Sequence, residues 1–310
     1  MLKKEFFYPS KDSETQIHGI EWIPEGDVKA VVQICHGMVE YIDRYDEFAS
    51  YLAEKGFYVT GHDHLGHGLS VTEEKKLGYF HHPDGNECVI GDIHKLRTKT
   101  QEKYPLVPYF MLGHSMGSFL LRQYLGRYSK GVSGAVIIGT GDQPNIAVSS
   151  GKFFCKIIAA CKGWEYRSSF INNLSIGNFE KKLGKAWISR DEENVRKYTA
   201  DPLCSFMFTV NGFYNLFDGI HKMNRQETSG AIRKDLPVLF TAGEEDPVGN
   251  CGKGVRRVYE RYCSGGMKDV SIRLYPKDRH EILNETDKEQ VFEDIYRWLK
   301  EKQADFRVTI

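Results

Sequence analysis

Short apolar, β-branched runs alternate with amphipathic helical stretches up to residue 140, and the alternation resumes only at residue 235. FFYPS and QIHGIEWIP predict an opening antiparallel pair of strands. VKAVVQIC, FYVTGHD, YFMLG and GAVIIGT predict buried strands, and YDEFASYLAEKG, residues 87–103 and the stretch from Met116 to Tyr128 predict helices between them. Such alternation implies an α/β fold with a mostly parallel central sheet, flanked by helices on right-handed crossovers. From Gly141 to Lys234 no strand of comparable quality occurs, and FFCKIIAACKG, ISRDEENVRKY and SFMFTVNGFYNLFDGIHKM predict helices instead. So long a stretch is not a loop. Residues 141–234 are therefore expected to form a helical cap inserted into a core of residues 1–140 and 235–310. LPVLFTAG, residues 251–263, VSIRLYP and KEQVFEDIYRWLKEK then return the chain to strand, helix, strand and helix.

Charge and cysteine content narrow the partners and the setting. The chain has 42 Lys and Arg against 42 Asp and Glu, a formal net charge of zero, which argues against nucleic acid as the partner. No apolar run reaches the ~18–20 residues that cross a bilayer. The opening MLKKEFFYPSKDSETQ lacks the apolar core and small-residue cleavage site of a secretory leader. Seven cysteines without a C-x-x-C suggest neither a disulfide framework nor a zinc site, so a reducing cytoplasm is the expected setting.

Within VPYFMLGHSMGSFLL, a predicted strand breaks at Gly113, presents Ser115 and continues as a predicted helix. G-x-S-x-G is common by chance in a chain with 30 glycines, but between a strand and a helix it describes a sharp turn that lifts a serine clear of the backbone. A Cβ at Gly113 or Gly117 is expected to collide with neighbouring chain. A serine hydroxyl needs a base, a group that orients the base, and donors for the developing oxyanion. In a parallel sheet these belong at the C-terminal ends of strands. LPVLFTAGEEDPV places Asp246 on a turn before Pro247, and VSIRLYPKDRHEILNE places His280 on the loop after the last strand. Ser115, Asp246 and His280 are thus expected as nucleophile, orienting carboxylate and general acid/base, with activity rising as His280 loses its proton. Glu244, Glu245, Asp278 and Glu281 are rival carboxylates. VVQICHGMVE runs a strand into His36-Gly37-Met38, so the backbone N–H groups of Met38 and Met116 are expected to form the oxyanion hole.

Together HGMVEYIDRY, GHDHLGHGLS, GHSMG, AGEEDPV and RHEILNE resemble the monoacylglycerol lipase and lysophospholipase group of α/β-hydrolases, which is grouped with serine aminopeptidase-like hydrolases. The resemblance covers both sheet-forming parts and is weak across the cap. It implies an α/β-hydrolase fold, no cofactor, and hydrolysis of carboxylic esters of monoacyl lipids or similar small esters through an acyl-enzyme, with the cap holding the acyl chain. It also implies that Glu40 and Arg44 lie near the entrance for a polar head group; the residues alone read equally as an ion pair that pins the loop. One departure stands out: monoglyceride enzymes can carry a second histidine shortly after the catalytic one, where this chain has Leu283 and Asn284.

His62, Asp63, His64 and His67 superficially suggest a metal site, but glycines 61, 66 and 68 favour a rigid loop held by side-chain hydrogen bonds, so no metal is expected. Phe153, Phe154, Ile157 and Ile158, like Phe206, Phe208, Phe213 and Phe217, read either as lid surface for an acyl chain or transient membrane contact, or as the cap's own core. Two other functions share this sequence pattern. An aminopeptidase or amidase would hold a free amine on Asp191, Glu192 or Glu193. A non-catalytic ligand-binding scaffold would ordinarily have lost one of the three groups that are all present here.

Overall fold

A computed structural model of the protein describes residues 1–177, 179 and 184–306. Residues 178, 180–183 and 307–310, which fall within the expected cap and the C-terminal part of the core, lie outside the described residues. The chain runs through β1 (Leu2–Pro9), β2 (Gln16–Ile23), β3 (Ala30–Cys35), α1 (Asp46–Glu54), β4 (Phe57–His62), α2 (Gly85–Lys103), β5 (Tyr109–His114), α3 (Met116–Tyr128) and β6 (Gly134–Ile138). It continues with α4 (Asn145–Lys162), α5 (Ser169–Asn172), α6 (Glu192–Ala200), α7 (Val210–Thr228), β7 (Val238–Gly243), α8 (Lys253–Ser264), β8 (Val270–Tyr275) and α9 (Lys288–Ala304).

Among the described residues the strands make one eight-stranded sheet in the order β1-β2-β4-β3-β5-β6-β7-β8. β1 and β2 pair antiparallel, as do β2 and β4, and every pairing from β4 through β3 to β8 is parallel. The strands β3 to β7 are fully buried and mostly apolar because helices cover both faces, whereas the edge strand β8 is only partly buried and carries the exposed Arg273. α1 and α9 bury Phe48, Leu52, Phe292 and Ile295 on one face; α2, α3 and α8 bury Val89, Ile93, Leu121 and Val258 on the other. The register pairs Cys35 with Gly113, His114 with Ile138 and Gly243 with Tyr275, so the C-terminal ends of β3, β5, β6, β7 and β8 form one row.

Between β6 and β7 the described residues contain helices and irregular segments and no strand. α4 begins at Asn145, earlier than the FFCK run implies, because Pro144 closes the preceding loop and sits just outside the helix. α7 begins at Val210, later than SFMF implies, because the Thr209 hydroxyl oxygen accepts from the Gly212 N–H at 3.1 Å and fixes the helix start.

α7 is tied down by buried amides. The side chains of Asn86 and Gln123 exchange two hydrogen bonds, Asn215 accepts from the Asn86 N–H at 2.8 Å, and Asn211 accepts from the Phe80 N–H at 2.9 Å. Gly219 permits this approach, since a Cβ there would overlap the Asn86 amide. A buried ion pair adds to the attachment: Arg122 of α3 donates from Nε and Nη2 to Glu227 of α7 at 2.8 and 2.9 Å, and from Nη1 to Thr140 and the Gly141 carbonyl.

Candidate active site

β5 ends at His114, and Ser115 follows with φ of +52°. A non-glycine residue in this region carries roughly 1–3 kcal/mol of strain and persists only where surrounding structure imposes it. Here the constraint is crowding. A Cβ at Gly113 would overlap the Gly117 carbonyl, and one at Gly117 would overlap the carbonyls of Cys35 and His36, so two glycines let the first turn of α3 press against the end of β3. The Ser115 N–H donates to the Ile138 carbonyl at 3.0 Å, which fixes the turn to β6.

The turn after β7 places Asp246, fully buried, with Oδ1 accepting from the Val248 N–H at 2.9 Å and Oδ2 lying 3.0 Å from His280 Nδ1. The rival carboxylates are engaged elsewhere or exposed. Asp278 pairs with Arg190, Glu281 pairs with Arg44, and Glu244 and Glu245 face solvent. His280 and Ser115 line the same cavity, of about 680 Å³, whose wall also includes Met38 and Met116. Met116 is the first residue of α3, where an N–H has no intrahelical acceptor and the helix end is partly positive. Among the described residues neither the Met38 nor the Met116 N–H has an acceptor. Val39 beside Met38 has φ of +58°, a costly conformation for a β-branched residue, and Tyr198 of α6 holds its carbonyl at 3.1 Å.

Glu40 is buried beneath this loop. Its Oε1 accepts from the Gly37 N–H, from Tyr45 Oη at 2.9 Å and from His114 Nδ1 at 3.0 Å, while Oε2 accepts from Arg44 at 3.1 Å. Burial alone would raise the Glu40 carboxyl, but His114 and Arg44 outweigh it and hold the group ionised, below the usual carboxylate range. Arg44 also forms a two-pronged pair with Glu281 at 2.7 and 2.8 Å. Burial opposes the guanidinium charge, and Glu281 and Glu40 together push it well above its ordinary value. Glu40 and Glu281 therefore line the cavity as compensated charges, and Arg44 lies behind the wall rather than in it.

The remaining wall is largely apolar and comes mostly from the segment between β6 and β7, including Val148, Phe154, Leu174, Phe206, Leu216 and Phe217. The two readings of the cap aromatics divide. Phe208 and Phe213 are buried core, Phe206 and Phe217 line the cavity, and Phe153 and Ile157 stand on the exposed face of α4. Ile158 is half-buried against the core. Asp191 caps α6 through the Glu193 and Asn194 N–H groups, Glu193 pairs with Arg196, and none of Asp191, Glu192 and Glu193 is among the cavity-lining residues.

The histidine-rich loop is internally bonded. Asp63 accepts from the N–H groups of Ile42 and Leu69 and lies 2.8 Å from His18 Nδ1, while His64 Nδ1 lies 3.1 Å from His62 Nε2. Burial pushes His62 and His67 down to about 3, so both are neutral imidazoles at physiological pH. Among the described residues no cluster suited to a metal ion occurs.

Two residues at the site, His114 and Trp187, were not singled out from the sequence, and Glu281 was singled out only as a rival carboxylate. The His114 ring lies tilted against His280 at 4.7 Å, the Trp187 ring lies tilted against the same imidazole at 5.1 Å, and Glu281 pairs with Arg44. The adjacency of His114 to Ser115 was a usable signal; Trp187 left none.

Comparison with known proteins agrees with this architecture. Residues 26–287 match the family model described as serine aminopeptidase, S33. The chain is 28% identical over 281 residues to a monoacylglycerol lipase of Mycolicibacterium smegmatis, covering 90% of each chain. It is 28% identical over 287 residues to the human monoglyceride lipase, covering 91% of this chain and 86% of that one. The crystal structure of a carboxyl esterase from Bacillus coagulans in complex with glycerol superposes with a TM-score of 0.88 at 29% identity, covering 98% and 99% of the two chains. The chain belongs to the serine aminopeptidase, S33 family, adopts the α/β-hydrolase fold and is an ester hydrolase.

Proposed function

We infer that the protein hydrolyses carboxylic esters of monoacyl lipids, monoacylglycerol or lysophospholipid, or similar small esters, through an acyl-enzyme. The observation that carries this reading is one cavity with Ser115 and His280 in its wall and a predominantly apolar lining above them. Relatives named monoacylglycerol lipase and monoglyceride lipase support the substrate class. On this reading residues 141–234 act as a cap over a core of residues 1–140 and 235–310.

Ser115 Oγ attacks the ester carbonyl as its proton passes to His280 Nε2. Asp246 at Nδ1 fixes the tautomer and stabilises the imidazolium that forms. The N–H groups of Met38 and Met116 receive the oxyanion. Collapse breaks the C–O bond, and His280 returns the proton to the departing alcohol. Water then repeats the sequence on the acyl-enzyme and releases the acid. A free α-amine, as an aminopeptidase substrate requires, would meet Glu40 and Glu281 in the wall, and Arg44 already occupies both. Ester cleavage therefore fits the wall better than release of an amino acid.

A p-nitrophenyl ester series from C2 to C16 tests this reading. Each methylene buried in the apolar cavity contributes about 0.8 kcal/mol, so kcat/KM is expected to rise up to about fourfold per carbon until the chain outgrows the cavity. A flat series, or turnover of aminoacyl naphthylamides above that of the esters, overturns it.

The exposed face of α4 supports the transient membrane contact proposed for the cap. Ile146, Phe153 and Ile157 recur at helical spacing and are 83%, 60% and 45% exposed, with Phe170 of α5 nearby at 55%. Phe153→Ser is expected to weaken co-sedimentation with phospholipid vesicles about tenfold while hydrolysis of a soluble C4 ester stays unchanged. Undiminished sedimentation would remove this role from the face.

A further inference from the structure

We propose that His114 is a positioning residue: a doubly protonated imidazolium that clamps the Met38 loop to the His280 loop. The proposal rests on the roles given above to Ser115, His280 and the Met38 N–H. His114 is buried, and both of its ring nitrogens face oxygen: Nδ1 lies 3.0 Å from Glu40 Oε1, and Nε2 lies 3.2 Å from the backbone carbonyl of His280. A backbone carbonyl only accepts, so Nε2 must carry a proton. Glu40 Oε1 already accepts from the Gly37 N–H and the Tyr45 hydroxyl, and Oε2 accepts from Arg44, so the carboxylate has no proton to give. Nδ1 must then carry a proton as well. A neutral imidazole would leave a lone pair facing an oxygen at a buried position.

The clamp joins three segments that the proposed chemistry uses. His114 immediately precedes Ser115 in the turn. Through Glu40 it reaches the Gly37 N–H and so sets the loop that presents Met38. Through Nε2 it holds the His280 carbonyl, and its ring lies tilted against the His280 ring at 4.7 Å, while Trp187 lies against that same ring at 5.1 Å. The groups facing His114 are Glu40, Tyr45, His280 and Glu281, with Arg44 and His36 beyond Glu40. Burial opposes the His114 charge, and Glu40 and Glu281 outweigh burial and raise it above the ordinary imidazole value. The sign follows: the clamp is complete at lower pH and loses one of its two bonds as pH rises through the raised value. Activity is therefore expected to fall on the alkaline side, through kcat rather than KM.

The test uses the full chain labelled with ¹⁵N. Long-range ¹H–¹⁵N correlation of the imidazoles at pH 7, with His114 assigned by its absence from a His114→Gln spectrum, should give two protonated nitrogens for His114. A neutral His114 overturns the proposal. Kinetics supply a readout that a merely structural role would not move. His114→Gln keeps an N–H donor but no charge; it should lower kcat about tenfold to a hundredfold, leave KM within about twofold, and abolish the alkaline fall. A wild-type alkaline limb retained in His114→Gln overturns the proposal. If that variant fails to fold, His114→Asn supplies the assignment instead, and the same protonation result decides. A fluorophosphonate probe separates the two readings. An unlabelled Ser115 beside a protonated His114 overturns the catalytic reading, and with it the clamp's role in catalysis.

Discussion

Ser115→Ala should lower kcat on a preferred ester by about 10⁵–10⁶-fold with little change in KM, because the nucleophile is removed while the cavity that binds the acyl chain is kept. Alanine keeps the backbone geometry at this position, so the loss is chemical. Asp246→Asn should cost about 10⁴-fold, since an amide at the Asp246 position no longer holds His280 in the tautomer that accepts the serine proton. The two losses should not add in the double variant, because both residues serve one step. Active-site titration with a fluorophosphonate, read by mass spectrometry, gives the independent check: label on Ser115 in the wild type, none in Ser115→Ala, and slow labelling in Asp246→Asn. Retention of more than one hundredth of wild-type turnover by Ser115→Ala would sink the assignment.

Glu227→Ala should be strongly destabilising although it lies outside the site. It leaves the Arg122 guanidinium, which is fully buried, without its carboxylate, and uncompensated buried charges cost about 3–5 kcal/mol. For a chain of this length that lowers Tm by about 5–8 °C, measurable by differential scanning calorimetry. Restoring an apolar pair, Arg122→Met with Glu227→Leu, should recover most of the loss, because desolvation of both charges is then relieved. If Glu227→Ala melts within about 1 °C of the wild type, the pair is not structural. The pH dependence has a definite sign. Burial would raise the Glu227 carboxyl, but Arg122 outweighs it and holds it below its ordinary value. Its contribution is therefore present above the unfolded carboxylate value of about 4.3 and is lost as pH falls through the lower folded value.

Much of this fold is legible in the amino-acid sequence. The alternation of apolar runs located the strands of the core because a parallel sheet covered on both faces is filled mainly by apolar side chains. Chain order then put Ser115, Asp246 and His280 at the ends of β5, β7 and β8, and the structure brings the three to one row of strand ends. The boundaries that escaped reading were set by single residues, Pro144 before α4 and Thr209 before α7, against apolar runs that crossed them. What stayed out of reach were contacts between distant parts of the chain. Nothing in the spacing announces that Arg44 meets Glu281, that His114 meets the carbonyl of His280, or that Trp187 lies against the His280 ring. Glu40 and Arg44 drew attention through resemblance alone, and only the bonds they make show how fully their charges are compensated.

The buried amides and the Arg122–Glu227 pair carry a practical consequence for exchanging substrate preference between relatives. The segment between β6 and β7 is continuous in the chain, yet α7 within it is fastened to α2 and α3 through Asn86, Gln123, Asn215 and Glu227. A chimaera that replaces the whole of residues 141–234 would tear out part of the scaffold's own wall. A graft that ends before Thr209 would change the roof and leave the wall standing.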